Sequence, residues 1–304
     1  MNRAITVSFF WIIALLSAGS NAFSGSTATL VYQNEHKVEA ARIPAGDMYR
    51  YGTTLKALDP NFKTLGVRQY TGIEIKTLLN MADPGVLVRL SGDGITIVGK
   101  DQYVGYIPFS MLMDSKIMLV WEADSKPIPA VNGGPLKMMY PDDVRADPNS
   151  YTWYVDTIFA GTLEDPRLDL MNSNTRIPLS FKTLQAMSQP VPKIYVSKPP
   201  GYRPPSRSIQ DSYSAVPLSR IVEKVSCHTC TRIEFTPWVG SGVSIDLELA
   251  LDRLLILVSI SGRAVHPMDG GPFSVIFPVE LHNELSAQTP ESGALFFLKQ
   301  ITLR

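Results

Sequence analysis

At 304 residues the chain has room for two domains with full cores, and 45% hydrophobic residues excludes general disorder. Lys plus Arg and Asp plus Glu both number 28, so no net field draws the chain to nucleic acid or to an anionic membrane. The 23 prolines and 21 glycines favour a turn-rich, strand-rich protein over a helical bundle.

In chain order, Arg3 gives a short positive region and Ile5 to Leu16 an apolar core. Ser20-Asn21-Ala22 follows, with small residues where a signal peptidase reads. Residues 1–22 are therefore expected to be a Sec-type signal peptide cleaved after Ala22, and the mature protein periplasmic or secreted. The competing reading, a membrane anchor, needs a longer apolar span of roughly 20 residues. Thr29 to Ala40 alternates like a strand with a turn near Glu35 and His36. A short helix is expected around Leu55 to Leu58. Ile73 to Met81 has helical spacing of its apolar residues and is stopped by Asp83-Pro84-Gly85.

Beyond that point the pattern predicts β-structure. Val86 to Leu90 and Ile95 to Val98 read as a hairpin around Ser91 to Gly94, Gln102 to Ile107 as a strand, and Ser110 to Asp114 as a helical turn. Ile117 to Glu122 is a buried strand that turns at Asp124-Ser125-Lys126. Gly133-Gly134-Pro135 is a loop of close backbone approach, Leu136 to Tyr140 runs inward, and Tyr151 to Gly161 closes the unit. Further strands are expected at Leu168 to Asn172, Lys193 to Ser197, Leu254 to Ile260, Phe273 to Phe277 and Leu295 to Leu303. Arg232 to Val239 with Val243 to Leu247 forms a hairpin. Helices are expected within Ile177 to Met187 and at Val216 to Val225. The proline-rich stretch Pro199 to Ser208 reads as a surface connection.

Two segments spell the same order. Tyr70 to Pro141 contains YTGIEIKTLL, IMLVWEADSKPIP and NGGPLKMMYP, while Tyr213 to Pro278 contains YSAVPLSRIV, LLILVSISGRAVHP and DGGPFSVIFP. A repeat of this length points to two related domains, at 24–163 and 164–304. The fold class expected is α+β, with two tandem, mixed, strand-rich domains.

Cys227 and Cys230, in CHTC, allow three readings. A redox pair is disfavoured because the motif follows a helix rather than opening one, so the macrodipole opposes the thiolate. A metal half-site would need His228, His266 or His282 in addition. A local disulfide in an oxidising compartment is the expected state. His36 completes the histidines, and none stands at a ligand spacing. No nucleophile elbow or phosphate loop is present, and Asp142-Asp143 sits in a turn. Trp121, Trp153, Tyr103, Tyr106 and Tyr140 are candidates for a pocket lining, although aromatics on strands more often fill a core.

The run from YTGIEIKTLL through DGITIVGKDQYVGYIPFSMLM, the NGGPLKMMYPDD loop and YTWYVDTIFAGTL resembles the oxidoreductase molybdopterin-binding domain of the sulfite oxidase family. The resemblance covers most of Thr29 to Leu163, with a weaker echo through Leu168 to Leu303. It implies a mixed α+β fold and a pterin cofactor whose metal is held by one Cys thiolate, shortly before the T-G-x-x-L helix. That loop here reads Thr64-Leu65-Gly66-Val67-Arg68-Gln69-Tyr70, without Cys, and Lys193 to Tyr213 has none in the second copy. No catalytic residue and no metal ligand is therefore assigned, and no cofactor is expected. The alternatives are a molybdopterin-type oxidoreductase lacking the usual thiolate, or a thiol-redox protein. The expected function is that of a non-catalytic pseudoenzyme, regulatory or accessory, that takes a small anionic ligand or a membrane-bound or periplasmic partner protein. Its ligand residues would be Arg68, Tyr70, Gly133, Gly134 and Lys137, where the basic residue after the Gly-Gly-Pro-Leu loop matches the family pattern. Ser274 stands at the corresponding place in the second copy.

Overall fold

Short strands dominate because β-branched and apolar residues alternate with polar ones over runs too brief for a helix of any length. The computed structural model describes residues 26–34, 37–90, 93–144, 146–173, 175–192, 198–201, 212–225, 227, 229–277 and 294–304. The expected signal peptide, the turn at Glu35 and His36, the strand expected at Lys193 to Ser197 and most of the proline-rich stretch lie outside these residues.

The first half runs β1 (Thr27–Asn34), β2 (Lys37–Pro44), β3 (Thr53–Leu58), β4 (Val67–Glu74), β5 (Ile95–Gly99), β6 (Val104–Ile107), β7 (Met118–Ala123), β8 (Lys126–Pro127), β9 (Lys137–Met139) and β10 (Val155–Ala160). Between them sit short helices at Ala45–Tyr49, Ile75–Ala82, Val86–Arg89 and Phe109–Asp114. One sheet has the order β2-β1-β10-β5-β6, with β1 and β10 parallel. The other has the order β3-β4-β7-β8, with β9 also paired to β7.

The second half runs β11 (Arg167–Met171), β12 (Arg176–Ser180), β13 (Gln189–Val191), β14 (Tyr213–Pro217), β15 (Arg232–Pro237), β16 (Val243–Asp246), β17 (Leu255–Ile260), β18 (Arg263–Ala264), β19 (Ser274–Ile276), β20 (Ala294–Leu295) and β21 (Leu298–Leu303). Its first sheet, β12-β11-β21-β15-β16, matches the first half strand for strand, including one parallel pair, β11 with β21. Its second sheet, β13-β14-β17-β19-β20 with β18 on β17, matches likewise and adds β20. The local irregularities recur too. The ladder shifts register at Thr71/Gly72 and at Ser214/Ala215, and a left-handed residue precedes the closing strand at Tyr154 (φ 50°) and Phe297 (φ 59°).

Alternation on the strands divides the core. Leu30, Ile95, Ile97 and Ile158 face the first half's own interior. Their strand neighbours Val31, Val98 and Phe159 face the opposite way, into a cluster with Val239, Phe296 and Phe297 of the second half. The period of two thus gives the first sheet one face for its own core and one for the other half. The Phe159 and Phe297 rings stack there, 5.6 Å apart.

Three expected elements take another form. Leu55 to Leu58 lies in a strand, because Leu55 and Ala57 alternate into the core opposite β4. Val86–Arg89 is a helical turn rather than half of a hairpin. Asp83 Oδ1 accepts from Gly85 N–H at 2.7 Å, and Arg89 pairs with the Asp83 carboxylate, closing a turn that β5 cannot join. In the second half, Val216 and Pro217 belong to β14, and the helix spans Leu218–Val222.

Candidate functional site

The loop after β8 is shaped by two glycines that serve different needs. Gly133 has φ 91°, the left-handed region, and a Cβ there would meet the Trp153 indole at 2.7 Å. Gly134 N–H donates to the Pro129 carbonyl, and a Cβ there would lie 1.8 Å from the Ile128 carbonyl oxygen. The peptide to Pro135 is cis. This packing sends Lys137, the first residue of β9, into the interior, where it is 1% exposed.

Lys137 does not stand free. Its ammonium pairs with the carboxylate of Asp59, itself 4% exposed, and donates to the Asn132 carbonyl at 3.3 Å. It lies 4.7 Å from the centroid of Phe62 and 4.9 Å from that of Trp153, and these two rings stack 5.2 Å apart. Burial pulls the ammonium pKa down, and Asp59 opposes that pull. The Asp59 carboxylate also accepts from Asn61 N–H at 3.0 Å. Tyr70 and Tyr151 feel the same carboxylate. Burial, reinforced by the Asp59 charge, pushes both phenols up to about 12, so both are neutral hydrogen-bonding groups at ordinary pH.

Of the five ligand residues expected from sequence, Tyr70, Gly133, Gly134 and Lys137 thus gather around Asp59 and its neighbours. Arg68 is two positions from Tyr70 on β4. Its Nε donates to Asp124 at 2.7 Å, a bond that holds the Asp124 carboxyl below its usual range. Each cation expected to hold an anion is therefore engaged by a carboxylate. Asp59, Phe62 and Tyr151 escaped the sequence reading: Asp59 is 78 positions from Lys137 and no local motif announces it. Of the aromatic candidates, Trp121 and Tyr140 are core, while Tyr103 and Trp153 line a small cavity of about 210 Å³ with Asn61, Asp101, Asn149 and Tyr151. The buried Trp153 Nε1 at this wall has no hydrogen-bond partner among the described residues.

A larger cleft of about 870 Å³ lies between the halves, and none of the expected site residues lines it. Several of its polar groups are occupied. Arg89 serves Asp83, and Asp93 accepts from Thr162 N–H, the Thr162 hydroxyl, Gly94 N–H and Tyr106 O–H. Burial raises the Asp93 pKa, yet the facing His266, the Thr162 hydroxyl and Gly94 N–H outweigh it and hold the carboxyl far below its usual range. His266 of the second half faces it at 3.7 Å, too far for a hydrogen bond, with Nδ1 already accepting from Met268 N–H.

The two cysteines are bonded to each other, with Cα atoms 5.5 Å apart. They follow the helix Leu218–Val222 in the second half and pack against its core. Among the described residues no cluster of His, Cys, Asp and Glu is arranged to hold a metal ion. His36, His228 and His282 lie outside those residues.

The model of one protein family, described as the oxidoreductase molybdopterin binding domain, matches residues 31–147. The matched residues lie within the first half of the chain. The match runs from within β1 to beyond β9 and includes the Gly-Gly-Pro loop, and the first sheet takes in β10 just after it. Among solved structures, the sulfane dehydrogenase SoxCD from Paracoccus pantotrophus is similar at 12% identity. The likeness covers 91% of this chain and 74% of that one at a TM-score of 0.33, too loose to transfer any residue. No curated protein matches.

The residues present do not fit a molybdenum pterin of the kind the sequence resemblance implies. Both thiols of the chain are spent on the disulfide in the second half, and the first half has none. The buried lysine has its charge balanced by a neighbour from the protein itself.

Proposed function

We propose that this is an exported, non-catalytic binding protein built from two tandem domains of the molybdopterin-binding type, at 24–163 and 164–304. The first domain carries recognition and the second supports it. The observation that carries this reading is the Asp59–Lys137 pair. At the place where the domain family keeps a basic residue, the charge is neutralised internally, and no thiolate is at hand to ligate a metal. The strand-for-strand match of the halves supports the tandem arrangement.

In this reading recognition lies at the cavity walled by Tyr103, Tyr151 and Trp153 and at the adjoining loop Pro129–Asn132. A small polar ligand or a segment of a periplasmic or membrane-bound partner would dock there. Export fits both the N-terminal sequence and the disulfide, which persists in an oxidising compartment.

The test is elemental and pterin analysis of the protein purified from the exported fraction. Molybdenum and pterin well below one equivalent are expected. Stoichiometric molybdenum would replace this reading with that of an oxidoreductase lacking the usual thiolate ligand.

A further inference from the structure

Lys137 and Asp59 reach each other from separate elements, and the fold does not need them to. In the second half the same loop, with Gly270 at φ 95° and a cis Gly271–Pro272 peptide, is built without any charge at the corresponding strand position. Ser274 stands there, and its hydroxyl donates to the Gly270 carbonyl at 2.9 Å. A buried ion pair is weak evidence of stabilisation, because desolvating both charges offsets most of their attraction. The pair in the first half therefore calls for a reason other than the backbone.

Its surroundings supply one. The ammonium sits under two aromatic rings, hydrogen-bonded to one loop carbonyl, and the Trp153 ring over it also lines the small cavity together with Tyr151. Two neutral phenols, Tyr70 and Tyr151, feel the charge of the group that faces it. That is a setting for one small anion: a fixed cation, phenol groups and low local polarity. The group in the anion's place is Asp59. It is carried on a connection whose next turn, Lys63–Leu65, buries none of its residues.

We infer that the Lys137 pocket is a small-oxyanion site held shut by the protein's own Asp59 carboxylate. With Asp59 in place the site accepts no anion, so the resting protein takes none at Lys137. Displacing Asp59, by a conformational change of the 59–66 connection or by substitution, opens it to a carboxylate or a comparable oxyanion. The inference rests on the proposed function in taking this site to hold no pterin. Metal and pterin analysis and anion titration are separate readouts, so each can fail alone.

The experiment titrates sodium formate against sodium chloride at constant ionic strength and follows the thermal midpoint. For the parent protein the midpoint is expected to be the same in both salts. For Asp59→Ala, formate is expected to raise the midpoint saturably, because a ligand that binds only the folded state stabilises it in proportion to the logarithm of its excess over Kd. In the double variant Asp59→Asn/Lys137→Met the formate response should vanish. Asp59→Asn alone, nearly isosteric, serves if Asp59→Ala does not fold without formate, and folding of Asp59→Ala only when formate is supplied also counts in favour. Three outcomes would overturn the inference. One is a folded Asp59→Ala protein indifferent to formate, another is a response that survives loss of Lys137, and the last is a parent protein that responds as strongly as the variant.

Discussion

Two loops with one backbone path, Pro129–Gly134 in the first half and His266–Gly271 in the second, stand in opposite surroundings. Val131 is 78% exposed, whereas its counterpart Met268 is 1% exposed. Both loops make the same turn: Gly133 and Gly270 donate to the carbonyls of Ala130 and Pro267, and Gly134 and Gly271 to those of Pro129 and His266. The difference comes from what lies outside. The second loop packs on the first half, where the His266 ring meets Tyr106 edge-on at 6.0 Å. The first loop faces solvent. Inside, the contrast is reversed: the first loop covers a buried ion pair and the second a serine hydroxyl. A repeated scaffold has thus placed its charge in the half that is open and its packing surface in the half that is closed.

The contrast is broken most severely at the buried charge. Lys137→Met strands the Asp59 carboxylate and should cost about 3–5 kcal/mol in urea unfolding, with Asp59→Asn/Lys137→Met recovering most of the loss. The matched change in the second half, Ser274→Ala, removes one neutral hydrogen bond and should cost about 1 kcal/mol. Equal losses for the two would show that the halves do not differ in this way. The outer face of the loops gives the next contrast. Met268→Asp buries an unpaired carboxylate and should cost about 3 kcal/mol or more, whereas Val131→Asp should stay within about 0.5 kcal/mol. A large loss for Val131→Asp would place that loop in an interface already formed in solution.

A smaller effect is expected from the Cys227–Cys230 bond. It closes a loop of sequence separation 3, so replacing both cysteines with serine should cost at most about 2 kcal/mol by the chain-entropy account, without loss of fold. The gentlest test concerns the junction of the halves. The Asp93 carboxyl has its pKa depressed in the folded state below its ordinary 3.8. Its stabilising contribution is therefore complete above that value and is lost as pH falls towards the folded pKa. Asp93→Asn should flatten the acid limb of the stability profile below about pH 5. An unchanged acid limb would assign acid sensitivity to other carboxylates.

Much of the scaffold is legible in the linear chain because local patterns specify it. The repeated Gly-Gly-Pro loops, the Asp124-Ser125 turn, the alternation in β1 and the apolar runs of β7 and β17 each follow from a few adjacent residues. The errors lie where local patterns are ambiguous. TTLKAL carries too few residues to separate one helical turn from a strand, and its pairing with β4 decides the matter. Val86 to Leu90 is apolar enough for a strand, and the Asp83 carboxylate, accepting from Gly85 N–H and paired with Arg89, makes it a turn of helix. The site was half legible for the same reason. Gly133, Gly134 and Lys137 belong to one short motif, whereas Asp59 arrives from 78 positions away.

The sequence by itself determined the recurring order of motifs, the strand-rich class, the absence of a thiol from the first half and the spacing that lets Cys227 and Cys230 bond. Those are properties of composition and near neighbours. Only the tertiary structure decided which charges are free. Lys137 and Arg68 are cations in the sequence, and folding sets a carboxylate against each, because a cation withdrawn from water must find an opposite charge wherever the chain can supply one. The exposure of one Gly-Gly-Pro loop and the burial of its twin were decided in the same way, by the packing of one half on the other.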